Sequence, residues 1–251
     1  PLVEKDVVFI LDASGSMWGD WNKANKWNSA KRILINMVDS LDDVENLEMG
    51  LRVYGHTSAR GKQNCKDTRL EVSFASKNAK RIRNELDKIK PKGTTPIAYS
   101  LTQAAGDFPN EGGVRNVIIL ITDGIEECEG DPCAVSLALQ RRRVVLKPFI
   151  IGLGMDEKYK DQFDCVGRYY NAQKESDFQE VLSVVVSQAI NNTTAQINLL
   201  DQSNQPTETN VNVTLYDQQT DLVSYNYFHT MNAAGVPDTV TIDPVTYYRA
   251  V

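Results

Sequence analysis

Val7-Val8-Phe9-Ile10-Leu11-Asp12-Ala13-Ser14-Gly15-Ser16 is the stretch that decides the fold. Its continuous apolar run predicts a strand that is buried on both faces, as in a parallel sheet. The Asp-x-Ser-x-Ser that follows then lies at the carboxyl end of the strand, where open α/β sheets bind their ligands. Small oxygen-bearing side chains suit Mg²⁺, which prefers oxygen ligands. Asp and Ser are also common in ordinary strand-to-helix turns, so the motif alone has two interpretations.

The first 190 residues alternate between strand and helix patterns. A second strongly apolar strand ends, like the first, in an acid, Asp123. Thr95 and Pro96 suit the N-cap and the first position of a central helix, and Asn28 or Ser29 suits the cap of the first helix. This alternation predicts an α/β domain with a mostly parallel sheet. Strands are predicted at 49–55, 69–74, 116–122, 146–152 and 168–171, and helices at 28–41, 79–89, 97–108, 133–143, 158–164 and 177–190.

Helical periodicity disappears after residue 194, and Thr, Val, Asn and Tyr dominate the remaining chain. Turn residues separate strands predicted at 196–200, 210–216, 222–228 and 239–242. We therefore expect two domains, an α/β domain at 1–192 and a small all-β sandwich at 193–251. The second is short beside the roughly 100 residues of an immunoglobulin-type sandwich, and the chain stops in a strand-like run. We expect the natural polypeptide to continue.

Charge and hydropathy argue against a nucleic-acid partner and against a membrane-spanning helix. The formal net charge of −6 provides no basic surface with which to displace counterions from nucleic acid. No apolar run reaches the roughly 18 to 20 residues that a membrane-spanning helix needs. We therefore expect neither a nucleic-acid partner nor a membrane span in this chain.

The four cysteines form no Cys-x-x-Cys pair, which argues against a zinc site. Three of them, Cys65, Cys128 and Cys133, fall in predicted loops or at a helix start, where a free thiol is a liability. This favours two disulfides and an oxidising compartment. The alternative is four reduced, buried thiols in a cytosolic protein.

Two further motifs favour the metal-site interpretation of Asp12-x-Ser14-x-Ser16. They are Thr95 before Pro96, and Asp123-Gly124. In type and order the three motifs resemble the metal-ion-dependent adhesion site (MIDAS) of the von Willebrand factor A (vWA) domain, over about residues 5 to 190. The resemblance implies a doubly wound sheet with helices on both faces. It also implies that the first strand lies beside the strand that ends at Asp123.

The resemblance also implies the roles of the site residues. Ser14, Ser16 and Thr95 are the expected direct ligands of Mg²⁺, or of Ca²⁺ or Mn²⁺, with Thr95 chosen over Thr94. Asp12 and Asp123 are expected to act through water. Neutral direct ligands leave the cation electrophilic, and a partner protein's Asp or Glu can fill its open position.

A closer likeness is to a bacterial exported subgroup, on the sequence around the cysteines, for example Glu127-Cys128-Glu129-Gly130-Asp131-Pro132-Cys133. In the implied topology Cys65 and this loop lie on the metal-site side. Our first expectation is that Cys65 pairs with Cys128, which leaves Cys133 for Cys165. The tail loosely resembles carboxypeptidase-regulatory or transthyretin-like modules.

The leading hypothesis is a non-enzymatic, metal-dependent protein-binding module. We expect it to be exported to the periplasm, outer membrane or cell surface as part of a larger assembly. One alternative is a scaffold subunit with an unused metal site. A metal-assisted hydrolase is the other, but His56 has no evident partner for acid–base chemistry and His229 lies in the other domain.

Two side features each have two interpretations. Trp18 and Trp21 follow the first motif and suit either contact with a partner or packing over the first helix. The acidic loop at 126–131 suits either a second cation, such as Ca²⁺, or simple solvation.

Overall fold

The computed structural model of the chain describes residues 4–21, 24–59, 61–109, 114–141, 148–190, 193–203, 205, 209–218, 223–237, 239–242 and 248–250. The chain divides into two compact units, Pro1–Ala189 and Ile190–Val251. Among the described residues, no helix combines the length and the apolarity needed to cross a membrane.

The first unit contains strands and helices in alternation. Its strands are β1 (Lys5–Asp12), β2 (Asp20–Trp21), β3 (Ala24–Asn25), β4 (Leu47–Tyr54), β5 (Thr68–Ala75), β6 (Arg115–Thr122), β7 (Phe149–Leu153) and β8 (Arg168–Ala172). Its helices are α1 (Lys26–Leu41), α2 (Ala79–Leu86), α3 (Ile97–Ala105), α4 (Pro132–Arg141), α5 (Lys160–Asp164) and α6 (Glu175–Ile190). Short 3-10 helices at Gly15–Trp18 and Glu157–Tyr159 complete the set.

Six strands form one sheet in the order β5-β4-β1-β6-β7-β8. Only the β4–β5 pair among them is antiparallel, and the other neighbours run parallel. Strand β1 lies between β4 and β6, with Phe9 opposite Leu51 and Ile119. The chain thus winds from β1 toward each edge in turn, which confirms the predicted doubly wound α/β fold.

Strand β1 is buried along its whole length, as its apolar run predicts. One face, including Val8 and Ile10, packs in a core cluster with Leu101 of α3. The alternate residues Phe9 and Leu11 are just as buried. Because side chains alternate between the faces of a strand, both faces of the sheet are covered, as in other parallel sheets.

Two predicted helix caps are wrong. Helix α1 begins at Lys26, and the Asn25 side chain caps it by accepting a hydrogen bond of 2.8 Å from the Asn28 backbone N–H. The hairpin of β2 and β3 ends at Asn25, so the helix begins directly after it, earlier than predicted. At α3, Pro96 is itself the N-cap residue, so it does not occupy the first helical position.

Most other boundaries of the first unit differ from prediction by a few residues. Helices α2 and α3 end three residues before the predicted 89 and 108. The predicted strand 146–152 is β7 from residue 149 onward, while 146–147 lie outside the described residues. The predicted helix 133–143 is α4 as far as residue 141, and 142–143 also lie outside them.

The second unit is built from strands. Strands β9 (Thr193–Gln196) and β12 (Thr239–Ile242) pair antiparallel, and a second sheet has the order β11-β10-β13. These are β10 (Val211–Asp217), β11 (Val223–His229) and β13 (Tyr248–Ala250). The strand predicted at 196–200 is wrong in position, because the pairing with β12 ends at Gln196. The domain bounds 1–192 and 193–251 and the type of the second module stay predictions.

Candidate metal centre

The predicted ligands lie on three connections at one edge of the sheet. Asp12 is the last residue of β1, and Ser14 forms an isolated parallel bridge with Gly93 on the loop before α3. The Ser14 and Ser16 hydroxyl oxygens lie 2.9 Å apart, and Ser16 Oγ donates to Asp123 Oδ1 over 2.7 Å. Asp12, Ser14 and Asp123 are buried, but Ser16 is exposed and keeps the cluster open to solvent.

Thr95 is brought to the same place by the turn that precedes α3. A Cβ atom at position 124 would lie 3.8 Å from Thr95 Oγ1, so this hydroxyl lies beside the Asp123-Gly124 turn. The neighbouring Thr94 differs, because its Oγ1 donates to the Asn64 carbonyl oxygen over 3.1 Å. The Thr94 hydroxyl is thus bonded to another loop, whereas that of Thr95 lies beside the turn that carries Asp123.

Asp12 is fully buried in a hydrogen-bond network. Its Oδ1 accepts from the Ser14 backbone N–H over 2.7 Å, and its Oδ2 accepts from Tyr54 Oη and Thr122 Oγ1 over 2.9 and 2.8 Å. Burial and the nearby Asp123 carboxylate raise the pKa of Asp12 to about 6, although hydrogen bonds from Ser14 and Thr122 act in the opposite direction. Both oxygens already accept hydrogen bonds, which suits a supporting role better than direct ligation.

Asp123 is held by two donors. Its Oδ1 accepts from Ser16, and its Oδ2 forms an ion pair of 2.9 Å with the Lys26 ammonium, in the first turn of α1. The side chain of Asp123 is 0% exposed and that of Lys26 is 17% exposed, so the pair is largely shielded from water. Two carboxylates and one ammonium leave the cluster with one net negative charge when Asp12 is ionised.

Sequence reasoning missed Lys26, Tyr54 and Thr122. Thr122 immediately precedes Asp123, and Tyr54 ends the strand beside β1, so their positions at strand ends were a usable signal. Burial and the Asp12 charge hold the pKa of the Tyr54 phenol well above its usual value, so this group stays a donor to Asp12. Lys26 gave no such signal, since a lysine at a helix start is usually solvated.

Two acids of the 126–131 loop support the Thr95 turn. Glu127 Oε2 accepts from the Thr95 backbone N–H over 3.1 Å, and Glu126 Oε2 accepts from the Ala98 N–H at the start of α3 over 2.7 Å. Glu126 thus satisfies a helix N-terminus that the predicted Thr95 cap does not. The described residues contain no group of three or more His, Cys, Asp or Glu side chains that could hold a metal.

Two disulfides brace this end of the unit. Cys65 pairs with Cys128 and Cys133 pairs with Cys165, with Cα atoms 5.7 and 5.2 Å apart. The expected pairing is confirmed. The first disulfide ties the loop after β4 to the loop that carries Glu127, and so indirectly to Thr95.

The tryptophans and His56 have separate roles. Trp21 is buried, packs against Phe178 with ring centroids 6.3 Å apart, and donates to the Gln173 carbonyl oxygen over 2.8 Å. Trp18 is 43% exposed and donates from Nε1 to a loop carbonyl oxygen. His56 Nε2 lies 2.5 Å from Glu71 Oε1, so the expectation that His56 has no partner is wrong.

The donor set fits a hard divalent cation. The hydroxyl oxygens of Ser14, Ser16 and Thr95 are neutral, and the carboxylates of Asp12 and Asp123 are held by protein donors. An all-oxygen set of this kind suits Mg²⁺, Ca²⁺ or Mn²⁺ rather than a soft metal. Adding two positive charges to a cluster with one net negative charge leaves a positive surface that favours an anion.

Protonation of Asp12 predicts an unusual pH dependence for the metal-free chain. The pKa of Asp12 is about 6 in the folded state against 3.8 for the free side chain, so folding takes up a proton between these values. The free energy of unfolding is therefore expected to rise by about 1 kcal/mol as the pH falls from 7 to 5. Urea unfolding of metal-stripped protein at both pH values measures this, and the Asp12→Asn variant should lack the rise. Equal pH slopes for the two proteins would contradict the prediction.

Comparisons with known proteins identify the family. The sequence matches the profile of the von Willebrand factor type A domain over residues 6–183. YwmC, an uncharacterized protein of Bacillus subtilis (strain 168), is 31% identical over 186 residues, which cover 71% of this chain and 81% of that protein.

Solved structures share the fold. The PilB minor pilin of Streptococcus sanguinis superposes with a TM-score of 0.61 at 13% identity, over 75% of this chain and 61% of the pilin chain. Proximal thread matrix protein 1 of the mussel byssus, solved with a zinc-occupied MIDAS motif, gives a TM-score of 0.58 at 20% identity, over 75% of this chain and 46% of that one. The match to the family profile covers residues 6–183, which is more than half of the sequence. It shows that the chain belongs to the von Willebrand factor type A family.

Proposed function

We propose that this chain is a non-enzymatic, metal-dependent protein-binding module of an exported or cell-envelope assembly. Ser14, Ser16 and Thr95 hold a divalent cation, Mg²⁺ or else Ca²⁺ or Mn²⁺, with Asp12 and Asp123 as acidic supports. A bound cation supplies an electrophilic position that a partner's Asp or Glu side chain completes.

The observation that carries this proposal is the contact of the Ser14 and Ser16 hydroxyls with each other and of Ser16 with Asp123, at a turn that Thr95 also lies beside. Asp123 accepts from Ser16 and from Lys26, and Asp12 accepts three hydrogen bonds. These bonds hold the carboxylates in place and support their role as acidic supports of a cation. Exposed Ser16 gives a partner access to the site.

Trp18 extends the proposed binding surface. It is a large, exposed aromatic residue in the 3-10 helix that also contains Ser16. Its Nε1 donates to the Pro91 carbonyl oxygen over 2.9 Å, which fixes the ring in one orientation. Fixed aromatic side chains are common anchors in protein interfaces, because little conformational entropy is lost on binding.

Two observations support an exported location. Two disulfides are typical of proteins that fold in an oxidising compartment. The fold neighbour PilB is a minor pilin, and a pilus subunit acts at a cell surface. The division of the chain into compact units at residue 190 supports a further proposal, a vWA domain at 1–192 followed by a second, all-β module at 193–251.

The histidines do not favour the hydrolase alternative. His56 lies against Glu71, and His229 Nε2 lies 2.8 Å from the Ile197 carbonyl oxygen in the second unit. Neither of these contacts is with the Ser14 hydroxyl, which a histidine would have to deprotonate in a hydrolase. The scaffold alternative differs from the proposal only in whether the metal site is used.

A pull-down tests the proposed function. The immobilised chain is incubated with solubilised envelope proteins of its native cell in Mg²⁺ or in EDTA. We expect one or more proteins to be retained in Mg²⁺, released by EDTA, and absent when the bait is the Thr95→Val variant. Retention that is equal in Mg²⁺ and EDTA would count against a metal bridge and leave the scaffold alternative.

A further inference from the structure

A groove of about 460 Å³ lies next to the candidate metal centre. We call it the basic groove. Lys62 and Gln63 line it from the loop after β4, Lys92, Gly93 and Thr94 from the loop before α3, and Glu127 from the loop after β6.

The basic groove and the metal centre share a wall. Gly93 forms the backbone bridge with Ser14, and its carbonyl oxygen accepts from the Gly15 N–H over 3.0 Å. Thr94 directly precedes Thr95. A chain segment bound at the metal centre therefore has the groove beside it.

The charge of this region is opposite to that of the whole chain, which is −6. Lys62 and Lys92 are exposed, and so are the nearby Lys66 and Lys90. In the part of the chain that the structure describes, none of these four ammonium groups forms an ion pair. The one acid of the groove, Glu127, already accepts a backbone hydrogen bond at the metal centre. The groove therefore offers two free cations to a ligand.

The groove walls are fixed to one another before any ligand binds. Thr94 Oγ1 donates to the Asn64 carbonyl oxygen, and Gln63 Nε2 donates to the Glu127 carbonyl oxygen over 3.0 Å. The Cys65–Cys128 disulfide joins the same two loops covalently. A rigid groove loses little entropy when it binds, which favours affinity.

We propose that the basic groove binds a second carboxylate on the same acidic segment of a protein ligand whose first carboxylate completes the metal centre. This inference rests on the proposed function. Lys92 precedes Thr95 by three residues, so their Cα atoms are at most about 11 Å apart, the length of three extended residues. The second Asp or Glu therefore follows or precedes the metal-bound one within about three residues.

Two synthetic peptides test the inference on the full chain. Both are capped, eight-residue Gly/Ser peptides; one carries a single Asp, and the other carries two Asp residues three positions apart. Binding is followed by NMR titration in Mg²⁺ and in EDTA at low salt. We expect the two-acid peptide to bind about fivefold more tightly than the one-acid peptide in Mg²⁺, and neither peptide to bind in EDTA.

Charge-neutralising variants locate the effect. Lys62→Gln/Lys92→Gln should remove the gain of the two-acid peptide while changing the affinity of the one-acid peptide by less than about twofold. The control Lys80→Gln/Lys160→Gln removes the same charge from exposed helix positions outside the groove and should keep the gain.

The outcomes separate the inference from the proposed function. If the one-acid peptide binds in Mg²⁺ but the second acid adds nothing, the inference is overturned and the proposed function stands. Loss of the gain in the control variant also overturns it, because the effect is then one of overall charge. A one-acid peptide that fails to bind in Mg²⁺, or binds equally in EDTA, overturns both.

Discussion

The Thr95→Val variant is expected to lose at least about 100-fold in Mg²⁺ affinity while it keeps the wild-type fold. Valine has nearly the shape of threonine, so the substitution removes the hydroxyl oxygen and little else. The Thr95 backbone N–H still donates to Glu127, so the turn before α3 keeps its support. Isothermal titration calorimetry with Mg²⁺ measures the affinity, and circular dichroism checks the fold.

Thr94→Val is the matched control for this variant. The Thr94 hydroxyl donates to the Asn64 carbonyl oxygen in the wall of the basic groove, and it is adjacent in sequence to the proposed ligand. We expect Mg²⁺ affinity within about threefold of wild type in this variant, since no direct ligand is lost. If Thr94→Val loses more Mg²⁺ affinity than Thr95→Val, the ligand is Thr94, and the choice of Thr95 is wrong.

The Lys26→Met variant is expected to bind Mg²⁺ about tenfold more tightly than wild type. The Lys26 ammonium contacts Asp123 over 2.9 Å in a largely shielded position, so it repels any cation that binds the same cluster. Two unit charges 4 Å apart interact by about 4 kcal/mol at an effective dielectric constant of 20, and partial exposure lowers this. Methionine keeps the apolar stem that lies near Gly154, with Lys26 Cε 3.7 Å from an added Cβ there.

Lys31→Met provides the control for net charge. Lys31 lies on the same helix and pairs with Asp87 over 3.2 Å. Its removal changes the total charge of the chain equally, and we expect Mg²⁺ affinity to stay within about twofold of wild type. Calorimetry in low salt compares the three proteins, and a Lys26→Met affinity equal to or weaker than wild type contradicts the repulsion.

Local patterns were sufficient to predict the sheet and to bring Asp12 and Asp123 to one edge of it. The apolar run before Asp12 and the similar run before Asp123 are typical of buried strands, and parallel strands bring their carboxyl ends to one edge. Pairing of β1 with β6 brings these two acids together. The resemblance supplied the roles of Ser14, Ser16 and Thr95 as metal ligands, which spacing alone does not give.

Contacts between distant parts of the sequence could not be predicted in this way. Lys26 and Asp123 are 97 positions apart, and only the packing of α1 beside the sheet end brings them together. The start of α1 was misplaced for a related reason. Strands β2 and β3 have two residues each, too few to show the alternation that identifies a strand.

The start of α3 shows a third limit of sequence reasoning. Thr95 and Pro96 fit the local rules for a helix N-terminus, but Glu126 from another loop accepts the hydrogen bond of the Ala98 N–H. A side chain from a distant loop can replace a local cap, and no local rule detects it. With no capping bond to make, the Thr95 hydroxyl lies toward Gly124.

The central claim is that Ser14, Ser16 and Thr95 together bind a divalent cation with Asp12 and Asp123 behind them. Crystals grown with Mn²⁺, a substitute for Mg²⁺ that gives an anomalous X-ray signal, test it most directly. We predict one strong anomalous peak in contact with all three hydroxyl oxygens, with the two carboxylates linked to the ion through water. A saturated crystal with no peak at this cluster, or a peak held by the carboxylates without the hydroxyls, would contradict the claim.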